Sequence, residues 1–118
     1  MPRDLTEPTF WVLTALSEAP RHGYAVLGRV EELSGGQSPL RVTTLYATLE
    51  RLERDGRIRV VSEEVVDGRA RRTYEVTVEG RQVLTRETER LMVRARAARA
   101  SLGQARPVWT RGSGWATA

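Results

Sequence analysis

The amino-acid sequence predicts a mainly α-helical fold with a small β-hairpin, and three observations lead to this prediction. Apolar residues recur at helical spacing in four separate stretches, each of which can bury one face. Between the third and fourth stretches, two short runs of alternating residues flank an Asp-Gly pair, the dipeptide that tight hairpin turns favour. The chain of 118 residues is long enough for one compact domain with one additional helix.

The first predicted helix runs from Leu5 to Ser17 and closes at Pro20, because the residue before a proline avoids helical geometry. Its apolar stripe is formed by Leu5, Thr9, Val12, Leu13 and Leu16, with Phe10 beside it. Trp11 lies off this stripe. We expect its large ring to be buried in the core or at an interface with a partner chain, with contact to a ligand as the alternative.

The second predicted helix spans residues 23–33, where apolar side chains again recur at helical spacing. The pair Gly35-Gly36 follows it and suits a helix C-cap and turn. A short loop that contains Ser38-Pro39 then leads into the third helix.

The third predicted helix lies within residues 42–56 (VTTLYATLERLERDG), where we expect the working surface, and Gly56 follows its last turn as a stop. Leu45, Leu49 and Leu52 share one side of it, which leaves the opposite side available for recognition. That opposite side carries Thr43, Thr44, Tyr46, Ala47, Thr48, Glu50 and Arg51. Threonine hydroxyls near a helix start can reach phosphates. The alternative is an ordinary surface helix in which one of these threonines is merely the N-cap.

A two-stranded hairpin is predicted around Asp67-Gly68. The alternating positions of its strands are Ile58, Val60, Ser62, Arg72, Tyr74 and Val76. Three helices followed directly by a hairpin have the order of a winged helix-turn-helix domain. Arg69, Arg71 and Arg72 make the hairpin tip basic, so it can reach a phosphate backbone or a minor groove. A solvated hairpin whose arginines serve solubility is the alternative.

Thr77 offers an N-cap for a long fourth helix from Val78 to about Leu102. Its heptad-like seam consists of Leu84, Thr88, Leu91, Ala95, Ala98 and Leu102. Such a seam needs a partner, which can be a second copy of the chain or the first helix of the same chain. The two are compatible if the first and last helices of both subunits form one interface. We therefore predict a homodimer in which the seam leucines and alanines, together with Trp11, lie at the interface.

These elements divide the chain into a winged helix-turn-helix domain over residues 1–78, a dimerisation helix over 79–102 and a flexible tail over 103–118. The tail loses periodicity and gains glycine, proline and serine. Its Trp109 and Trp115 either dock on another surface or belong to a disordered end.

Composition narrows the classes of function. All 19 basic residues are arginine, and eight of them stand against two acids in residues 80–118, so the net charge of +4 alone is weak evidence for nucleic-acid binding. The chain has no cysteine and one histidine, and we expect no metal, no cofactor and no enzymatic site. The apolar stretch FWVLTAL is too short to span a membrane, so we expect a cytoplasmic protein without a membrane partner.

Four motifs in this order carry a family resemblance over about residues 5–100. They are Arg21-His22-Gly23-Tyr24; Thr44-Leu45-Tyr46 with Leu49-Glu50-Arg51-Leu52-Glu53 and Asp55-Gly56; Arg71-Arg72-Thr73-Tyr74; and Thr77-Val78-Glu79-Gly80-Arg81. Together they resemble the PadR family of bacterial transcriptional regulators. The resemblance implies a winged-helix domain with a C-terminal dimerisation helix, usually a repressor and often released by a small molecule. It also implies that the helix with Thr44 and Tyr46 is the recognition helix.

We therefore predict a dimeric regulator, a repressor that binds a pseudo-palindromic operator in double-stranded DNA. The expected contacts are Thr43, Thr44, Tyr46, Ala47 and Arg51 in the major groove, His22 and Tyr24 near phosphates, and Arg69, Arg71 and Arg72 on the backbone or minor groove. A small-molecule effector would enter the dimer interface, with Trp11 as a wall. The alternative is a winged-helix module that binds another protein instead of DNA.

Overall fold

The computed structural model describes residues 5–104, so the predicted tail with Trp109 and Trp115 lies almost entirely outside the described residues. Its elements are α1 (Glu7–Glu18), β1 (Arg21–His22), α2 (Gly23–Ser34), α3 (Val42–Arg54), β2 (Ile58–Val66), β3 (Arg69–Val76) and α4 (Val78–Gln104). The strands form one antiparallel sheet in the order β1-β3-β2. The predicted mainly α fold with a hairpin is confirmed, and the sheet gains a third strand that two residues were too few to reveal.

Helix α1 begins at Glu7 rather than Leu5, because Thr6 is the N-cap. The Thr6 backbone is extended, and its Oγ1 accepts a hydrogen bond of 3.3 Å from the backbone N–H of Thr9. The helix ends at Glu18, followed by an extended Ala19 that precedes the proline. This placement turns one continuous apolar stripe inward.

The predicted C-cap of α2 is confirmed. Gly35 has a φ of 64°, a left-handed geometry that glycine adopts without strain. The N–H groups of Gly35 and Gly36 donate to the carbonyls of Glu32 and Glu31, which satisfies two of the last four acceptors of the helix.

The hydrophobic core lies between the three N-terminal helices and the base of the sheet. Its buried members are Val12, Leu13, Ala15, Leu16, Val26, Val30, Leu45, Leu49, Leu52, Ile58, Tyr74 and Val76. Thr48 is only 2% exposed, so its predicted position on the polar side of α3 is wrong. At 3.6 residues per turn Thr48 falls on the inward stripe, three residues from Leu45 and four from Leu52.

The hairpin turn has the predicted chemistry. Asp67 and Gly68 have φ values of 53° and 77°, the two left-handed positions that a type I′ turn requires. A bulge interrupts β2 between Val60 and Ser62, so Ser62 pairs with Thr73 although Val60 pairs with the next residue of β3. Because of this extra residue, the alternation of the two strand faces that the sequence predicted does not continue past Val60.

The first turns of α4 are part of the N-terminal compact unit. Thr77 caps the helix as predicted, since its Oγ1 accepts from the Gly80 N–H at 3.1 Å and its hydroxyl donates to the Gly56 carbonyl at 2.8 Å. Gly80 lies so close to the Arg57 carbonyl that a Cβ atom there would collide with it. The N-terminal compact unit extends to Glu87.

The second unit begins at Thr88, and its described part is the remainder of α4. Every residue from 91 to 104 is exposed in the single chain. The large apolar side chains among them are Leu91, Met92, Val93 and Leu102. This exposure leaves the predicted seam without a covering surface on that segment.

Candidate nucleic-acid interface

The outer face of α3 is positioned by the three leucines beneath it. Arg41 is the N-cap of α3 and makes no side-chain capping bond, so Thr43 and Thr44 lie within the first helical turn. The alternative in which one of them merely caps the helix is therefore wrong. Thr43, Tyr46 and Ala47 are exposed and Thr44 is half-buried. The result is an uncharged surface of hydroxyl and methyl groups on a rigid helix.

A cleft of about 860 Å³ lies between the starts of α2 and α3 and the hairpin. Its lining residues are His22, Gly23, Tyr24, Tyr46, Val66, Asp67, Arg69, Ala70, Arg71, Arg72 and Tyr74. The structure thus brings together all of the predicted α2 and hairpin residues with one member of the predicted α3 set. The other α3 residues do not line the cleft.

His22 joins the start of α2 to the sheet. In β1 it pairs with Thr73, and as the N-cap of α2 its Nδ1 accepts a 3.3 Å hydrogen bond from the Ala25 N–H. The His22 side chain is thus the cap of this helix. Because Nδ1 accepts this bond, Nε2 is the ring nitrogen that can donate to an anion. The phosphate contact of His22 stays a prediction.

The ring of Tyr46 lies against the backbone of Gly23. A Cβ atom built on Gly23 would stand 2.5 Å from the Tyr46 hydroxyl oxygen and 2.9 Å from the ring carbon that bears it. Tyr46 nevertheless keeps 42% of its surface exposed, and the neighbouring Tyr24 keeps 61%. Sequence analysis missed this contact, since no local pattern links two positions 23 residues apart.

Acidic side chains accompany two of the three hairpin arginines. Arg71 lies 4.0 Å from a Glu64 carboxylate oxygen, and Arg72 lies 3.4 Å from one of Glu63 and 4.0 Å from one of Glu53. The hydrogen bond with Glu63 raises the pKa of Arg72. Burial raises the pKa of the Tyr74 hydroxyl, while Arg72 opposes that shift. The hairpin surface therefore carries exposed arginine and glutamate side chains close to one another.

Arg51 is the predicted site residue that the structure places elsewhere. Its guanidinium Nη2 donates to Thr9 Oγ1 of α1 at 3.2 Å, on the side of α3 away from the cleft. Arg51 lies three residues after the buried Thr48 and directly before the buried Leu52, so helical spacing places it at the edge of the inward stripe. In this conformation its side chain contributes to the contact between helices, and its DNA contact stays a prediction.

The residues predicted at a dimer interface differ in exposure. Trp11 is half-buried, meets the Phe10 ring edge to face at 5.3 Å, and donates from Nε1 to Glu7 at 3.4 Å. Leu84 packs partly against the core. The exposed members of the seam are Thr88, Leu91, Ala95, Ala98 and Leu102.

An ion-pair cluster holds the end of α1 to α2. Arg29 donates from Nε and Nη2 to the two carboxylate oxygens of Glu18 at 2.8 and 2.9 Å, and Arg21 adds a third contact at 2.8 Å. The hydrogen bond from Arg29 is the largest cause that lowers the pKa of Glu18, to about 2. This paired arrangement is a geometrically specific link between the two helices.

A helix-turn-helix followed by a β-hairpin wing defines the class of winged-helix proteins. The sequence profile described as "Transcriptional regulator PadR-like family" matches residues 12–86. The chain therefore belongs to the PadR-like family of transcriptional regulators, which confirms the resemblance noted in its motifs. It is 44% identical over 86 residues to the Transcriptional regulator Rv3488 of Mycobacterium tuberculosis. That match covers 73% of this chain and 64% of the relative, so the chain spans less than two thirds of it.

Solved structures show the same fold. A PadR family transcription regulator from Clostridium difficile matches with a TM-score of 0.68 at 21% identity, over 82% of this chain and 99% of that one. Bacillus subtilis PadR in complex with operator DNA matches with a TM-score of 0.58 at 20% identity, over 65% and 44% of the two chains. Across residues 5–104, no helix has the length and apolar character needed to cross a membrane.

Proposed function

We propose that this protein is a transcriptional repressor that binds double-stranded operator DNA as a homodimer. The observation that carries the proposal is the cleft where His22, Tyr24 and Tyr46 meet three hairpin arginines on one surface. A surface of hydroxyl groups beside clustered guanidinium groups fits a groove and its flanking phosphates. The operator complex of Bacillus subtilis PadR supports the same class of partner for this chain.

Within this proposal, α3 supplies the specific contacts. The exposed Thr43, Tyr46 and Ala47, with the half-buried Thr44, enter the major groove, where hydroxyl and methyl groups can contact base edges. His22 and Tyr24 at the start of α2 contact phosphates beside that groove. Arg51 can contact DNA only if its side chain gives up its hydrogen bond to Thr9.

The hairpin supplies contacts that do not depend on sequence. Arg69, Arg71 and Arg72 contact the backbone or the adjacent minor groove, where guanidinium groups release condensed counterions. Arg69 forms no ion pair with any residue between 5 and 104, so it is the arginine most directly available to phosphate.

A homodimer would place two such surfaces on the half-sites of a pseudo-palindrome. The exposed seam of α4, with Leu91 at 37% and Leu102 at 76% exposure, supports a helix from a second copy as its cover. Closed two-fold dimers place half-sites about 34–36 Å apart. A small-molecule effector would act at this interface, with Trp11 as part of its wall.

A titration of the purified chain against two duplexes tests the proposal. The first duplex is selected by the protein from a randomised pool, and the second is a scrambled sequence of the same composition. We expect binding by a species of twice the chain mass, with a clear preference for the selected duplex and a strong dependence on salt. Failure to enrich any sequence, with weak binding even at low salt, would favour a protein-interaction module instead.

A further inference from the structure

We infer that Gly23 is a positioning residue for Tyr46, so that the first turn of α2 and the outer face of α3 work as one recognition unit. The inference rests on the proposed DNA-binding function and deepens it. Gly23 thereby affects how the protein discriminates between DNA sequences, and it does so through the position of the Tyr46 ring.

The Tyr46 side chain packs closely against Gly23 and is otherwise partly exposed. Gly23 is buried, and a Cβ atom there would lie within 3.0 Å of three atoms of the Tyr46 side chain. Real Cβ atoms do not approach ring atoms at such distances, so any larger residue at position 23 must move the ring. The exposed 42% of Tyr46 is what remains available to a partner.

Two contacts of the residues next to Gly23 hold it in place. It follows the cap of His22, whose ring nitrogen binds the first turn of α2. The preceding strand β1 is paired with β3 at Arg21 and His22. The backbone under the tyrosine ring is thus anchored to the sheet, and it can restrict the rotamers of Tyr46 before any ligand arrives.

Restricting that ring is useful for recognition. A surface tyrosine that samples several rotamers must lose this freedom on binding, at a cost that falls on the specific complex. A ring already seated on Gly23 avoids this cost.

Gly28 provides a matched control in the same helix. A Cβ atom built on Gly28 meets nothing within 4 Å. Gly28→Ala therefore adds the same methyl group to α2 without touching Tyr46, and we expect it to leave DNA binding unchanged with an equal or higher melting temperature.

The test measures the affinity of each variant for a duplex selected by the wild-type protein and for its scrambled counterpart. For Gly23→Ala we expect the ratio of the two affinities to fall about two- to tenfold, the size expected from one unrestrained side chain. Gly28→Ala keeps the wild-type ratio. An unchanged ratio in a folded Gly23→Ala protein overturns the inference.

Repeating Gly23→Ala in a protein that already carries Tyr46→Ala separates positioning of Tyr46 from a general structural role of Gly23. In Tyr46→Ala the ring is gone, so adding Gly23→Ala should lower the ratio no further. A similar additional loss in both backgrounds would mean that Gly23 acts on the fold and not through Tyr46.

The wild-type protein offers a direct measurement if Gly23→Ala does not fold. Nuclear Overhauser effects between the Tyr46 ring protons and the Gly23 α protons are expected in the free protein and in its complex with the selected duplex. Loss of these signals in the complex would overturn the inference. If the wild-type protein selects no duplex at all, the proposed function has failed rather than this contact.

Discussion

The outer face of α3 contributes Tyr46 to the cleft that the hairpin tip also lines, but the two regions are held by different forces. The α3 face rests on Leu45, Leu49 and Leu52, which are at most 2% exposed. The hairpin tip is held by its backbone ladder and by exposed ion pairs, and Val65 near its turn is 74% exposed. Tight packing gives a surface that can discriminate geometry, whereas exposed charges give attraction that salt can screen.

The strongest test of this difference removes the support under α3. Leu49→Ala should reduce the free energy of unfolding by about 2–5 kcal/mol, because it deletes buried methyl groups and leaves a cavity. Val65→Ala on the hairpin is the control, and it should change stability by no more than about 0.5 kcal/mol. Chemical denaturation of both variants measures the two values. Equal losses would show that the hairpin tip is as firmly packed as α3.

The next test removes the aromatic surface of α3. Tyr46→Ala should weaken binding to the selected duplex by about 1–3 kcal/mol more than binding to the scrambled duplex, if the side chain touches a base. Tyr24→Ala is a suitable comparison, because Tyr24 is predicted at a phosphate and should affect both duplexes alike. Parallel losses for Tyr46→Ala would assign Tyr46 to packing or to the phosphate backbone.

A third test addresses the charges of the hairpin. Arg71→Ala with Arg72→Ala should weaken binding to both duplexes similarly and lower the log–log salt slope by about one for each lost phosphate contact. Arg59→Ala is the control, since Arg59 pairs with Glu75 at 2.7 Å and lies outside the cleft. A slope that stays at the wild-type value would remove the hairpin from the mechanism.

The smallest effect concerns pH and the ion-pair cluster behind α2. The folded-state pKa of Glu18 is lowered to about 2 from an ordinary value of 4.5, so its contribution to stability is present above pH 4.5. That contribution should decline as the pH falls from 4.5 towards 2. We expect a small melting-temperature difference between the wild type and Glu18→Gln that is constant from pH 7 to about 5 and shrinks below that. A difference that grows in acid would contradict the assignment.

Local sequence signals determined most of the fold. The leucine stripe of α3, the glycine pair after α2, the Asp67-Gly68 turn and the Thr77 cap each depend on residues within a few positions of one another. Such signals are readable because helix periodicity and turn geometry are properties of short segments. The family resemblance was carried separately by four short motifs, and these also marked the regions where the candidate site lies.

The tertiary structure alone decided how those regions meet. The pairing of β1 with β3, the bulge after Val60 and the link from Arg51 to Thr9 have no counterpart in any local pattern. The contact of Tyr46 with Gly23 likewise brings together two motifs that lie far apart in the sequence. Contacts of this kind arise when distant elements share one core, and the packing of that core is determined by the whole chain at once.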